Sequence, residues 1–334
     1  MIFIENEGNT DTHLNLALEE YIVRKFGKEN NYLLFYINAP SIIIGRNQNT
    51  LEEINYEYIT QQNIKVVRRV SGGGAVYHDL GNLNFSFITD HNLGDFSNFK
   101  SFTQPVIKVL KKLGIDAELK GRNDILIGEK KISGTAQFST GKRMISHGTL
   151  LFDTDLDEVT KALQVKMSKI QSKGHKSVRS RVANISEFLK APLTIEEFRK
   201  LLLEGLSEED ENFQHYHLTE EEWKGVYELK AQKYDTWDWN YGQSPKFNIQ
   251  RVNKFTPGEL DIRIFVEKGY VSEFKIYGDF FGFKPVSDLE ELLLNTRYEK
   301  SDIVEKLKDI QISDYFGAIT KNEFIDLVYG EDEE

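Results

Sequence analysis

The sequence predicts an α+β fold: a mixed, mainly antiparallel sheet flanked by helices, followed by a small C-terminal α+β domain. Three observations predict it. Short alternating apolar runs are interleaved with segments of helical period through most of the chain. Two of those runs, "DILIG" and "KISGTAQF", are separated only by "EK", the spacing of an antiparallel hairpin. After "WDWNYGQSPKF" the pattern restarts in an acidic composition. At 334 residues the chain exceeds one ordinary core, so a large domain with a small one is expected.

The first helix is expected at 12 to 26. Leu14, Leu18, Tyr21, Ile22 and Phe26 fall on one face, Glu19, Glu20, Arg24 and Lys25 on the other, and Gly27 is the stop. Strands follow at 32 to 37, 41 to 45, 64 to 70 and 83 to 89; in the last, Leu83, Phe85 and Phe87 alternate with Asn84 and Ser86. A helix over 99 to 113 ends at Gly114. The hairpin occupies 124 to 138, and "RMISHGTLLF" at 143 to 152 is a further strand. Helices are expected near 155 to 164, 195 to 206 and 219 to 234, the last opened by a capping box from Thr219 to Glu222.

Gly, Ser and Pro at 242 to 245 place a boundary near 246 to 252, giving domains over 1–246 and 252–334. In the second, "LDIRIFVE" and "YVSEFKIYGDF" form strands about a Lys-Gly turn. Helices are expected there near 287 to 296, 301 to 309 and 320 to 329.

Hydrophobic residues make up 40% and charged residues 28%, enough apolar surface to offset chain entropy, so a globular protein is expected. Aliphatic runs such as "III" at 42 to 44 fall far short of the roughly 20 residues that span a bilayer. The N-terminus lacks a basic-then-apolar signal pattern, so a cytoplasmic protein with no membrane partner is expected. Cysteine is absent, which excludes disulfides, zinc–thiolate sites and a thiol nucleophile. The net charge of −11 argues against a nucleic-acid partner, and residues 251 to 334 carry 11 Lys and Arg against 19 Asp and Glu. "KMSKIQSKGHKSVRSR" at 166 to 181 runs the other way, with six basic residues and no acid. Either a solvated face or a loop that closes on an anion accounts for it.

"RRVSGGGAVYHDLGN" at 68 to 82 concentrates the chemistry. Three glycines between two extended segments let main-chain N–H groups converge on a phosphate or carboxylate, although a tight turn also accounts for them. No Gly-Lys-Ser/Thr follows, and Tyr77 stands where a dinucleotide fingerprint needs a small residue, so neither nucleotide motif is present. Strand alternation sends Arg68 and Arg69 to opposite faces, and one of them can meet the anion with a planar fork of donors. His78 and Asn82 add neutral polar groups; a core histidine bonded to a carbonyl is the plain alternative for His78.

In "GRNDILIGEKKISGTAQ" at 121 to 137, Asp124 begins a strand at a position suited to a magnesium contact beside nucleotide phosphates. Lys131 is followed by small residues that leave room for a ligand, although most lysines are surface residues. His147 and Gly148 begin the apolar strand "SHGTLLF". The histidines of "HYH" at 215 to 217 lack acidic or Cys partners at ligand spacing and read as structural.

Taken together these blocks resemble the lipoate–protein ligase family. "RRVSGGGAVYHDLGN", "GRNDI", "KKISGTA", "HGTLL", "KSVRSRV" and "WDWNYG" stand in the family's order, covering residues 1 to 246, and a small C-terminal domain is what its longer members carry. The family's catalytic domain is related to biotin protein ligases. The resemblance implies that lipoate and Mg-ATP give lipoyl-AMP and pyrophosphate, after which a carrier lysine takes the lipoyl group. It implies Lys131 as the catalytic lysine, with Asp124 holding Mg²⁺ and Asn123 ordering that turn. Arg69, Ser71, Gly73, Gly74, Ala75, Val76, His78 and Asn82 are implied as adenylate contacts, as are Gly134, Thr135, Ala136, His147 and Gly148. Arg179 or Arg181 would lie near phosphate as residues 177 to 182 close over the intermediate. The lipoyl tail would enter a tunnel walled by the first helix and the strand at 41 to 45. Implied partners are lipoyl domains of 2-oxoacid dehydrogenase E2 subunits or the glycine cleavage H protein, and a monomer is expected. Tyr77 and Thr135 stand where Phe and Ser are frequent, changes that keep size and backbone demands similar.

Three rivals remain. An ATP-independent octanoyl or lipoyl transferase of the same fold uses a cysteine, which this chain lacks. A biotin ligase writes its loop with alternating Gly and Arg instead of three successive glycines. A lipoate-binding module without catalysis would have no need of Lys131, Asp124 and Arg69 together.

Overall fold

The computed structural model describes residues 1–91, 98–121, 123–163, 181–241, 249–267 and 269–330. In chain order the elements begin with β1 (Ile2–Glu5), α1 (Thr12–Lys25), β2 (Tyr32–Ile37), β3 (Ser41–Ile44), α2 (Thr50–Glu53) and α3 (Tyr56–Gln61). β4 (Lys65–Arg68), β5 (Val76–His78), β6 (Asn82–Asp90) and α4 (Phe99–Lys112) follow. Next are β7 (Ala117–Lys120), the hairpin β8 (Asp124–Ile127) and β9 (Lys130–Ser139), then β10 (Arg143–Leu151), α5 (Leu156–Ala162) and α6 (Ile195–Ser207). β11 (Gln214–His217) precedes α7 (Glu220–Leu229), which runs into one π-helical turn at Lys230–Tyr234, and α8 (Trp237–Asn240). The last part holds β12 (Ile249–Phe255), β13 (Gly258–Glu267) and β14 (Tyr270–Gly278), then α9 (Ser287–Leu293), α10 (Lys300–Leu307), α11 (Ser313–Phe316) and α12 (Lys321–Tyr329).

Two compact units result, one of Met1–Ile44, Leu51–Arg69 and Ala75–Asn240, the other of Gly45–Thr50, Val70–Gly74 and Tyr241–Glu334. The first contains an eight-stranded sheet in the order β11-β1-β2-β6-β10-β9-β8-β7 and a small sheet β4-β3-β5. In the large sheet β1 is parallel to β11 and β2, and the other neighbours are antiparallel. Because successive side chains alternate, Leu83, Phe85 and Phe87 of β6 face one side. They join Phe102, Val106 and Leu110 of α4 and Phe198 and Leu202 of α6 in the main core. Asn84 and Ser86 face the opposite side, in register with Tyr36 and Leu34 of β2 and with Thr149 and His147 of β10. This second face receives α1, through Glu19 on His147.

Helix α1 departs from its sequence pattern. Glu19 and Glu20, expected on the solvent side, are buried. Glu20 accepts hydrogen bonds from Arg24 Nε, Lys233 Nζ and the Tyr234 hydroxyl, each at 2.7 Å, which ties α1 to the π-helical turn. Simple amphipathic reading fails because both flanks of the helix are covered and, apart from Arg24, the partners lie 128 to 214 residues away. The capping box from Thr219 to Glu222 opens α7 as expected. The "HYH" segment is an exposed strand whose acidic partners come from β1 and the turn after it: Glu5 bonds His215 at 3.1 Å and Glu7 bonds His217 at 2.6 Å.

The second unit is an antiparallel sheet β12-β13-β14. Leu260, Ile262, Ile264, Phe274 and Ile276 from its strands pack with Leu289, Leu307, Phe316 and Phe324. Segments 45–50 and 70–74 also belong to it, and the Gly278 N–H donates to Asn47 O at 2.7 Å.

Removing the Glu20 carboxylate should test the α1 anchor. Burial raises its pKa, but Lys233, Tyr234 and Arg24 more than offset this, and the net shift is downward. A lowered folded-state value means stability that is complete above the ordinary glutamate range, about 4.3, and is lost as pH falls through the folded value. Glu20→Ala is expected to cost about 2–4 kcal/mol in urea unfolding at neutral pH, since it strands the buried Tyr234 hydroxyl and removes the carboxylate partner of the partly exposed Lys233 ammonium. The difference from wild type should shrink below about pH 4.

Candidate active site

The β8–β9 hairpin supplies the lysine and the aspartate. Lys131 and Gly134 are three residues apart, an odd spacing that places side chains on opposite faces of a regular strand. A bulge changes this: Ile125 pairs with Ser133 while Leu126 pairs with Lys131, leaving Ile132 as an extra residue. Lys131 is thereby on the same face as Asp124 and Gly134, which are themselves in register, and Ile132 is buried in the main core. Lys131 Nζ meets Asp124 Oδ1 at 2.7 Å, with both side chains about a third exposed (37% and 34%). Gly134 makes room for this ammonium, since a Cβ there would lie 3.1 Å from Lys131 Nζ.

Asn123 locks the hairpin to β9. Its Nδ2 donates to Thr135 O at 2.5 Å, and its carbonyl accepts from Thr135 N and Oγ1 at 2.9 and 2.8 Å. Thr135 and Gly148 are in register on the core face, away from His147. Glycine is required at 148 by packing, because a Cβ would lie 2.6 Å from the Phe85 ring and 2.8 Å from the Thr135 methyl. Ala136 pairs with His147 on the α1 face, and Gly134 N donates to Thr149 Oγ1 at 3.2 Å.

Further along that face lies a buried polar group. His147 Nδ1 is 2.9 Å from Glu19 Oε1. Arg69, at the end of β4, is buried; its Nη1 donates to Ile43 O at 3.1 Å and its N–H to Ile44 O at 2.9 Å. Burial lowers the Arg69 pKa to about 10, against the pull of Tyr36 and Glu19, so it keeps its charge at neutral pH. His78 on β5 is pushed down to about 3, first by burial and then by Arg69 and His147, which makes it neutral. His78 Nε2, Asn82 Oδ1 and Ser86 Oγ are buried with no hydrogen-bond partner among the described residues. Asn82 Nδ2 donates to Asn84 Oδ1 at 3.0 Å.

Arg68 takes the other direction, as alternation requires. Its N–H donates to Asn240 Oδ1 and its Nε to Trp239 O, each at 2.9 Å, while Trp239 Nε1 returns a bond to Arg68 O at 2.8 Å. The "WDWN" segment is therefore the partner of Arg68. Val76 of β5 pairs with Ile43, and Ala75 precedes it.

Ser71, Gly73 and Gly74 belong to the second unit. Within it Gly72 is needed for close approach, since a Cβ would lie 2.4 Å from Phe280 O, and Gly73 has φ +90°. Ser71 O accepts from Arg46 N at 2.8 Å. Gly74 has open space where a Cβ would be. Arg179 lies outside the described residues. Arg181 is described, and the residue after it, Val182, bridges to Lys131, whose O accepts from Ala183 N at 3.0 Å. The basic segment thus ends against the backbone of Lys131.

Sequence reading missed Glu19, Tyr36 and Ser86. The helical pattern of α1 misdirected the first, while Tyr36 and Ser86 sit in runs that read as ordinary strand.

Comparisons with known proteins agree. A family model described as the lipoyl protein ligase A/B catalytic domain matches residues 11–207, and one described as the bacterial lipoate protein ligase C-terminus matches residues 244–328. A lipoate–protein ligase of Bacillus subtilis is 53% identical over 331 residues, covering 98% of this chain and 100% of the relative. A P. falciparum protein solved in complex with lipoate superposes with a TM-score of 0.79 at 25% identity, covering 98% of both chains. A bipartite lipoate protein ligase from Thermoplasma acidophilum, studied with its E2 lipoyl domain, gives 0.65 at 36% identity over 74% of this chain and 98% of its own. A lipoate–protein ligase A bound with ATP gives 0.61 at 34% identity over 72% and 96%.

The glycines at 134 in β9 and 148 in β10 should respond differently to an added methyl. Gly148→Ala is expected to cost about 1–3 kcal/mol in urea unfolding, because aromatic and β-branched neighbours must shift. Gly134→Ala should stay within about 0.5 kcal/mol, because the only obstacle is the end of a flexible lysine.

Proposed function

The chain belongs to the lipoate–protein ligase family, and from that membership we propose that it activates lipoate with ATP to lipoyl-AMP, releasing pyrophosphate, and transfers the lipoyl group to a carrier lysine. One observation carries the reading: the Lys131 ammonium, held 2.7 Å from Asp124 above the bare Gly134, on the same face of the hairpin as both. A cation placed there can exchange its carboxylate partner for the oxygens of lipoate and of the α-phosphate. It then bridges the two anions whose repulsion opposes attack and stabilises the charge that develops at phosphorus. Arg69 supplies a second charge from a buried position, and His78, His147 and Asn82 line the acyl-phosphate region.

Asp124 suits magnesium: a partly exposed hard oxygen donor beside the phosphate-binding lysine, where substrate phosphates would complete the coordination. Bound there, Mg²⁺ would supply charge neutralisation for the triphosphate. To residues 177 to 182, of which 177 to 180 lie outside the described residues, we assign the exclusion of water from the adenylate, with Arg179 or Arg181 near phosphate. Ser71, Gly73, Gly74, Ala75 and Val76 hold the adenylate backbone, together with Gly134, Thr135, Ala136 and Gly148. Of these, Thr135 and Gly148 would act through their main chain. The buried strand β3 and α1 wall the lipoyl tail.

Lipoate, ATP and an E2 lipoyl domain each occur with one of the structural neighbours, which supports the substrates and the carrier class. The glycine cleavage H protein is a second carrier within the proposal. We assign catalysis to residues 1–246, an accessory role to 252–334, and the monomer as the working unit. The alternative, carrier-to-carrier transfer without ATP, has to proceed without an enzyme thioester, because the chain has no cysteine.

Purified protein with Mg-ATP is expected to release pyrophosphate only when lipoate is added, with no carrier present. Lipoate-independent release, or none from folded protein, contradicts the reading. Lys131→Ala should lower this release by about 100-fold or more with unfolding unchanged, given the exposure of the side chain. Turnover near the wild-type rate would remove Lys131 from the role assigned to it.

A further inference from the structure

We propose that Asn38 is a positioning residue: through a relay of buried amides it fixes His78 as the neutral Nε2–H tautomer, a permanent hydrogen-bond donor to an oxygen of the acyl phosphate. This rests on the adenylation reading above and adds to it the state and orientation of one ring.

The relay can be read from fixed acceptors. Asn15 Nδ2 lies 3.0 Å from Asn9 O and 3.3 Å from Ile37 O, and Asn6 Nδ2 lies 2.9 Å from Asn9 O. Backbone carbonyls only accept, so these amide ends are the nitrogens. Asn15 Oδ1 is then the acceptor for Asn6 Nδ2 at 3.1 Å. Asn15 Nδ2 also reaches Asn38 Oδ1 at 2.9 Å, so the other end of Asn38 is its nitrogen. That nitrogen faces His78 Nδ1 at 3.0 Å. An amide NH₂ has only protons to offer, so Nδ1 carries the lone pair and the proton of the neutral ring is on Nε2.

Every member is buried: Asn15 and Asn38 are fully enclosed, and Asn6 and His78 are 4% and 3% exposed. Nε2 itself is buried with no acceptor among the described residues. An orphan donor of this kind costs free energy unless something accepts from it, and such orphans mark sites where a ligand completes the bonding. The charged and titratable groups acting on the ring are Arg69, next after β4, and His147 from β10, the latter held by Glu19 of α1; the first two disfavour a positive ring. His78 is therefore neutral throughout the physiological range and cannot lose its donor by a change of pH. A neutral imidazole polarises a developing oxyanion without the cost of burying a second cation beside Arg69.

Asparagine in the first turns of a helix interior is a poor choice on propensity, and Asn15 is tolerated because its side chain leaves the helix for this relay.

The test uses the full chain with ¹⁵N-labelled histidine. In wild type the imidazole shifts of His78, assigned by comparison with His78→Gln, should show a protonated Nε2 and an unprotonated Nδ1 from about pH 5 to 8. A protonated Nδ1 in wild type overturns the proposal before any variant is considered. Asn38→Asp replaces the donor by a carboxylate, which draws a proton to Nδ1. Lipoate-dependent pyrophosphate release should then fall by about 100-fold, with kcat affected more than KM. In the His78→Gln background, whose amide N–H does not tautomerise, Asn38→Asp should have little further effect, and the two losses should not add. Additive losses, or full turnover by Asn38→Asp, assign Asn38 a structural role only. If Asn38→Asp does not fold, Asn38→Ala replaces it: the relay predicts loss of tautomer preference, and an unchanged Nε2–H ring overturns it. The adenylation reading fails separately, on wild-type pyrophosphate release, and leaves the imidazole shifts to decide the relay.

Discussion

The arrangement of the site depends on one extra residue in β9. Without the bulge at Ile132, Lys131 and Gly134 would face opposite sides of the sheet, and the ammonium would be turned into the apolar core or the glycine away from it. With it, an aspartate, a lysine and a bare strand position converge on one face while Ile125 and Ile132 stay buried on the other. A helix could not make this exchange so economically, because its side chains cannot change face by one residue. The hairpin also borrows rigidity from outside itself, since Asn123 binds Thr135 at three points and Val182 pairs with Lys131.

The two faces of the large sheet divide the work. One is a conventional aromatic and aliphatic core under α4 and α6. The other holds the buried Tyr36, Asn84, Ser86 and His147, with the partly exposed Thr149 in register beside them, a density of polar groups that a stabilising core would avoid. Such groups persist where substrate, fixed partners or both satisfy them. Here Glu19 satisfies His147, and the asparagine chain satisfies one nitrogen of His78 but leaves the other.

Much of this was legible in the sequence because the blocks are local. The alternation of Leu83, Phe85 and Phe87, the "EK" hairpin and the capping box at Thr219 each encode their structure within a few residues. What escaped was long-range. Glu19 and Glu20 read as solvent-facing because their partners are Arg24, Lys233, Tyr234 and His147, most of them far along the chain. The strands β1 and β11 were missed because a four-residue strand carries little period, and β11 exposes three of its four side chains. The glycines show the limit of motif reading from the other side. Three in a row point to bare backbone for a ligand, yet Gly72 answers to the carbonyl of Phe280; in the separate "HGTLL" block Gly148 likewise answers to the Phe85 ring. One motif can thus hold residues kept for packing beside residues kept for chemistry.

The charge balance of the interior follows from the same division. Arg69 is buried with its guanidinium on a backbone carbonyl, and such a charge is tolerable where an anion is to be bound. A second full cation at His78 would repel Arg69 and raise the cost of the empty site, whereas a neutral ring with a fixed proton contributes a donor at no charge. The asparagines serve this better than carboxylates, because an Asp at 38 would draw the single ring proton to Nδ1 and take the donor from Nε2, and an Asn cannot. Neutral amides therefore set the protonation of the ring, and the formal cations Arg69 and Lys131 meet the anionic substrate.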